Sequence, residues 1–113
     1  MSTVTEWPSQ VVSDVLAWNA GVRGNEEALV IDGRRLTYSG LDASVQETAQ
    51  GLRALGIRRG DHVAVCMGNS LEWVTFFYAA ASIGAVTVPV NTRFKADELE
   101  YCLRQADVKL LFV

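Results

Sequence analysis

The feature that most constrains this chain is an alternation that begins at Tyr38, where helical periods take turns with short apolar runs. Leu41, Val45, Ala49, Leu52 and Leu55 recur at spacings of three and four, which predicts one apolar helix face ending at Gly56. Residues 62–67 then read as a strand, 69–84 as a helix, 86–90 as a strand, 96–106 as a helix and 108–113 as a last strand. In the 96–106 helix, Leu99, Cys102, Leu103 and Ala106 face inward. Strands separated by whole helices cannot pair through tight turns, so they pair in parallel, with the helices on the sheet faces. Right-handed crossovers are expected. Pro89 lacks an N–H and marks a strand end or a sheet edge.

Upstream of the alternation, Val12, Val15, Leu16 and Asn19 share helical spacing, with Ser9 as a cap and Gly21 as the stop. Residues 28–31 form a short apolar run. Asp32-Gly33 is a hairpin-turn pair, and 34–37 is the return strand. Thr37 is placed to cap the helix that begins at Tyr38. Asn69 with Glu72 three residues on has the spacing of a capping box for the next helix. That helix carries Trp73, Phe76, Phe77, Ala80 and Ala81 around most of its circumference, so burial on more than one face is expected. The fold class is therefore α/β: a parallel sheet layer with flanking helices, preceded by a short helix and a β-hairpin. Residues 1–10 read as a leader and 11–113 as one unit.

Composition excludes several function classes. Ten Lys and Arg are interleaved with thirteen Asp and Glu, giving a formal net charge of -3, so no basic stripe exists for nucleic acid. The apolar run 73–81 is broken by Thr75 and is too short for a transmembrane segment. No basic segment followed by an apolar run opens the chain, so no signal peptide is expected. Cys66 and Cys102 lie far apart in apolar stretches and read as reduced core thiols of a cytoplasmic protein. The sequence closes on Leu110-Leu111-Phe112-Val113, a strand-like run where chain ends are usually polar, and further chain is expected beyond it.

No active site is visible in the residues themselves. Phosphate cradles need Gly-rich loops opening a helix, because small residues let backbone N–H groups approach the anion. Gly33, Gly56, Gly60 and Gly84 are isolated and read as turn or helix-stop residues. The single histidine, His62, opens a strand after a charged turn and reads as solvent-facing. Glu26-Glu27 lie in a loop, while Asp97, Glu98 and Glu100 suit the positive end of a helix dipole. Asn91 and Arg93 follow the strand end at Pro89, where open α/β sheets often bind ligands. The plainer reading, a polar loop whose Asn and Arg bond to backbone or to a neighbouring segment, is preferred.

The segments taken in order resemble the opening of the adenylate-forming (AMP-binding) superfamily, which includes acyl-CoA synthetases, luciferases and peptide-synthetase adenylation domains. Leu36-Thr37-Tyr38-Ser39-Gly40-Leu41 resembles its first core motif, departing at Gly40, where the family usually has Glu. The Gly60-Asp61 turn before a strand resembles the next segment, and Asn69-Ser70-Leu71-Glu72-Trp73 is similar to the helix entry that follows. The stretch from Ala81 to Arg93, ending Pro89-Val90-Asn91-Thr92-Arg93, resembles the second core motif in its acyl-CoA synthetase form. Asp97-Glu98-Leu99-Glu100-Tyr101 matches the usual continuation.

The resemblance implies a fragment of an enzyme that joins a carboxylic acid to ATP, releases pyrophosphate and passes the acyl group to coenzyme A. Mg²⁺ assists at the phosphates. Fatty, aromatic and short dicarboxylic acids are all open as substrates, with a medium- or long-chain fatty acid as the default. The family's phosphate loop, ribose-binding Asp and catalytic Lys have no match in this span. No catalytic, cofactor-binding or metal residue is carried over, and the span alone is expected to be inactive. Thr37 is expected as a cap, and Gly84 as a helix stop close against the next strand. Such a layer exposes apolar surface when alone, so self-association or cover by the remaining chain is expected. The alternative is a free-standing α/β binding or assembly module without ATP chemistry.

Overall fold

The computed structural model describes residues 12–113. Its elements are α1 (Val12–Arg23), β1 (Glu27–Ile31), β2 (Arg34–Thr37), α2 (Tyr38–Ala54), β3 (His62–Val65), α3 (Leu71–Ser82), β4 (Val86–Pro89), α4 (Ala96–Gln105) and β5 (Val108–Phe112). The expected Ser9 cap and the leader 1–10 lie outside the described residues. Helix α1 runs through Gly21, which was expected to end it. A side chain there would meet nothing within 4 Å, so no packing demands a stop. The chain turns instead at Gly24, where a Cβ would lie 2.7 Å from the Ala20 carbonyl oxygen.

The hairpin forms as its turn pair dictates. Asp32 and Gly33 both take positive φ, 52° and 77°, which matches the twist of the strands they join. β1 and β2 pair antiparallel from Ile31↔Arg34 back to Glu27↔Thr37, in a two-stranded sheet of their own. At the end of β2 the Thr37 hydroxyl accepts from the Gly40 N–H at 3.0 Å, capping α2 as expected. Replacing Thr37 with alanine lowers stability by about 1 kcal/mol, read as a urea midpoint. Serine keeps the hydroxyl and should restore most of the loss. A serine variant as weak as the alanine one would rule out the cap as the cause.

Along α2, Leu41, Val45, Ala49 and Leu52 are buried, but Leu55 is 68% exposed, contrary to its expected place on that face. The helix ends one residue earlier. The Ile57 N–H bonds back to the Leu52 carbonyl (3.1 Å) and the Gly56 N–H to that of Arg53 (2.9 Å). This Schellman closure turns Leu55 outward and brings Ile57 in beside Leu52.

The Asn69 capping box does not form. Ser70 is the cap, its hydroxyl accepting from the Trp73 N–H at 3.1 Å. Leu71, the first helical residue, is buried, and that anchor sets where the helix can begin. Glu72 reaches instead to Arg34 on the hairpin, at 2.8 Å. Beyond Ser82, Gly84 takes φ 78° and is a stop as expected. What crowds it is not the next strand but Arg59, whose Cγ would lie 2.8 Å from an added Cβ.

The three remaining strands form the expected parallel sheet, in the order β4-β3-β5. Each ends before its predicted limit, at Val65, Pro89 and Phe112, although the Cys66 and Val90 N–H groups still bond across to Phe112 and Val65. β4 and β5 lie on opposite sides of β3. Right-handed crossovers to opposite sides put α3 and α4 on opposite faces. On the α3 face, Val63, Val65, Phe76, Ala79 and Ala80 join the buried residues of α2 and Leu16 in one cluster. Phe76 stacks on Phe112 at 4.5 Å between ring centroids. α4 packs mainly on β5 and has no fully buried residue. Its expected inward residues Leu99, Cys102, Leu103 and Ala106 are half-buried, and the helix stops at Gln105 because Asp107 takes φ 52°.

Candidate functional site

Three places on this scaffold can meet a ligand or another chain: the two ends of the parallel sheet and the groove beside its open edge. The carboxyl end comes first because strand order reverses at β3, and ligands of open α/β sheets gather outside such a reversal. The loop after β3, from Cys66 to Ser70, and the loop after β4, from Val90 to Lys95, stand at that end. Two of their polar side chains, Ser70 and Asn91, are engaged within the chain. The Ser70 hydroxyl caps α3 and also lies 3.5 Å from the Met67 sulfur. The Asn91 side-chain oxygen accepts from the Arg93 N–H at 2.8 Å, a local turn at an exposed position. Geometry thus gives Asn91 the loop role weighed in the sequence.

Beside this end, a cleft of about 240 Å³ is bounded by Leu36, Leu71 and Phe112, with the Arg34–Glu72 pair in its wall. At the amino end, Asp61, His62, Asp107 and Lys109 border a polar cleft of about 290 Å³. His62 was expected to face solvent but is half-buried, with Nδ1 against the Ala106 carbonyl oxygen. A carbonyl only accepts, so Nδ1 carries the proton. This contact ties the end of α4 to the start of β3. Asp61 is held twice, by the Arg58 N–H at 2.7 Å and by Lys109 Nζ at 3.3 Å.

These contacts depress two carboxyls. The Arg58 N–H above all, with a lesser share from Lys109, holds Asp61 below the usual carboxylate range against the opposing effect of burial. The hydrogen bond from Arg34 does the same for Glu72. A folded pKa below the unfolded one gives stability that is full above the unfolded range, near pH about 4, and lost as pH falls through the folded value. Carboxyl-carbon NMR titration should therefore separate the two causes. Arg34→Met returns Glu72 toward the ordinary range, whereas Lys109→Met relieves only part of the Asp61 depression, because the Arg58 N–H bond remains. Full recovery of Asp61 on losing Lys109 would contradict the leading role of the Arg58 N–H.

Among the described residues, neither thiol stands beside the histidine. His62 and Cys66 stand at opposite ends of β3, about 13 Å apart at about 3.3 Å per residue. Both thiols are unpaired, but Cys66 and Cys102 are half-buried rather than core residues. Four of the five carboxylates weighed in the sequence have structural partners: Glu26 with Arg23 at 3.9 Å, Glu27 with Arg35, Glu100 with Arg104 at 2.6 Å, and Glu98 with the Lys95 N–H at 3.2 Å; Asp97 stands in the first turn of α4. Among the described residues, no group of three or more His, Cys, Asp or Glu could hold a metal ion. No helix among them is long and apolar enough to cross a membrane.

The third place is an open groove of about 510 Å³ between α4 and β5, floored by Ala96, Leu99, Leu103 and Val108. It adjoins the unpaired edge of β5.

The scaffold is a three-stranded parallel sheet layer flanked by helices and preceded by an antiparallel hairpin. The family model described as AMP-binding enzyme matches residues 16–113, and the chain belongs to that family. YngI of Bacillus subtilis is 39% identical over 104 residues, covering 90% of this chain and 19% of its own length. The long-chain-fatty-acid–CoA ligase FadD13 of Mycobacterium tuberculosis is 44% identical over 77 residues, covering 68% of this chain and 15% of its own. The crystal structure of the N-terminal domain of FACL13 from Mycobacterium tuberculosis superposes with a TM-score of 0.87 at 37% identity, over 91% of this chain and 27% of that one. The chain thus spans less than a fifth of the length of YngI or FadD13. The resemblance, which runs over roughly residues 11–113, holds, as does the fold class.

Proposed function

We propose that residues 11–113 form the first part of the large domain of an AMP-forming acyl-CoA ligase, with residues 1–10 as a leader. The observation that carries this reading is the family match over 16–113, together with 44% identity to a ligase named for long-chain fatty acids. The whole enzyme joins a carboxylate to the α-phosphate of ATP, releasing pyrophosphate, and then forms a thioester with coenzyme A. ATP, Mg²⁺ and coenzyme A are held by the rest of the enzyme. This span supplies the sheet layer that supports the site and no catalytic residue, so it is inactive alone. The reading makes it a cytoplasmic protein of fatty acid metabolism. The α4–β5 groove and the open edge of β5 are covered by the remaining chain, or by a second copy when the span is alone.

The test starts with intact mass and with the coding frame read past codon 113. The longer product should release pyrophosphate in the presence of a fatty acid from a panel of acids. Residues 1–113 alone should release none. A longer product that releases none with any acid overturns the ligase reading. A frame that stops after Val113 favours the second reading, a free-standing binding or assembly module. In light scattering, the span alone should exceed the mass of one chain, and a single-chain mass would count against an apolar surface that needs cover.

A further inference from the structure

We draw no further inference here: the strongest candidate, the apolar groove between α4 and β5 beside the open edge of the sheet, already belongs to the proposed function, and nothing in the structure shows which chain covers it.

Discussion

Replacing Phe76 with alanine lowers the unfolding free energy by about 3–5 kcal/mol. At a urea slope of about 2 kcal/mol per molar, the midpoint falls by roughly 2 M. Phe76 has no exposed surface and is the largest fully buried side chain among the described residues. It lies on the face of α3 that meets the sheet, stacked on Phe112 with the ring planes 23° apart. Truncation removes apolar burial and leaves a cavity among residues of the same cluster, Val63 and Val65 on β3 and Ala80 on α3, whose close packing resists collapse. Phe76→Leu keeps most of the burial and loses mainly the ring stacking, about 0.5–1.5 kcal/mol. Phe77 is half-buried and stacks on Trp73 at a longer 5.7 Å, so Phe77→Ala should cost clearly less. Equal losses at positions 76 and 77 would show that α3 does not face the sheet through Phe76.

Val63→Asp should unfold the chain at neutral pH. Val63 has no exposed surface on the central strand, with β4 on one side and β5 on the other. No polar or charged side chain is buried among the described residues, so no partner for a carboxylate is at hand. An unpaired buried charge costs several kcal/mol, comparable to the total stability of many domains this size. Burial disfavours the charged form and raises the folded pKa above the unfolded one. The folded state then holds its proton more firmly, so the penalty shrinks as pH falls toward about 4 and grows above it. Circular dichroism against pH should show structure regained on mild acidification. Val86 on the edge strand is 46% exposed, and Val86→Asp is the control, with a small loss and no such pH dependence. If both variants behave alike, β3 is not the dry centre of the layer.

Much of the fold was legible because its signals are local. The Asp32-Gly33 turn, the Thr37 cap and the Leu41–Leu52 face each rest on residues within a few positions of one another. Misread details share another origin. Asn69 and Ser70 are equally able to cap a helix, and the burial of Leu71 decides between them. The Leu55 position fits the helical period but lies past the Schellman closure. No motif in the span brings a nucleophile beside a base or a phosphate cradle, so sequence spacing pointed to no site. The Arg34–Glu72 and Asp61–Lys109 pairs join residues 38 and 48 apart, and no sequence spacing signals such contacts.

Element types, their parallel pairing and the family are all carried by the linear order of residues. Apolar periods of 3.6 and 2, turn residues and crossover length act over short stretches, so they can be read without knowing what they pack against. The strand order β4-β3-β5 emerges only on assembly, where it stacks Phe76 on Phe112 and turns the α4–β5 groove outward. Tertiary contacts likewise drew His62 inward to the Ala106 carbonyl. Such outcomes depend on which distant surfaces meet, and burial energy, being non-directional, assigns no partner until the layers are assembled.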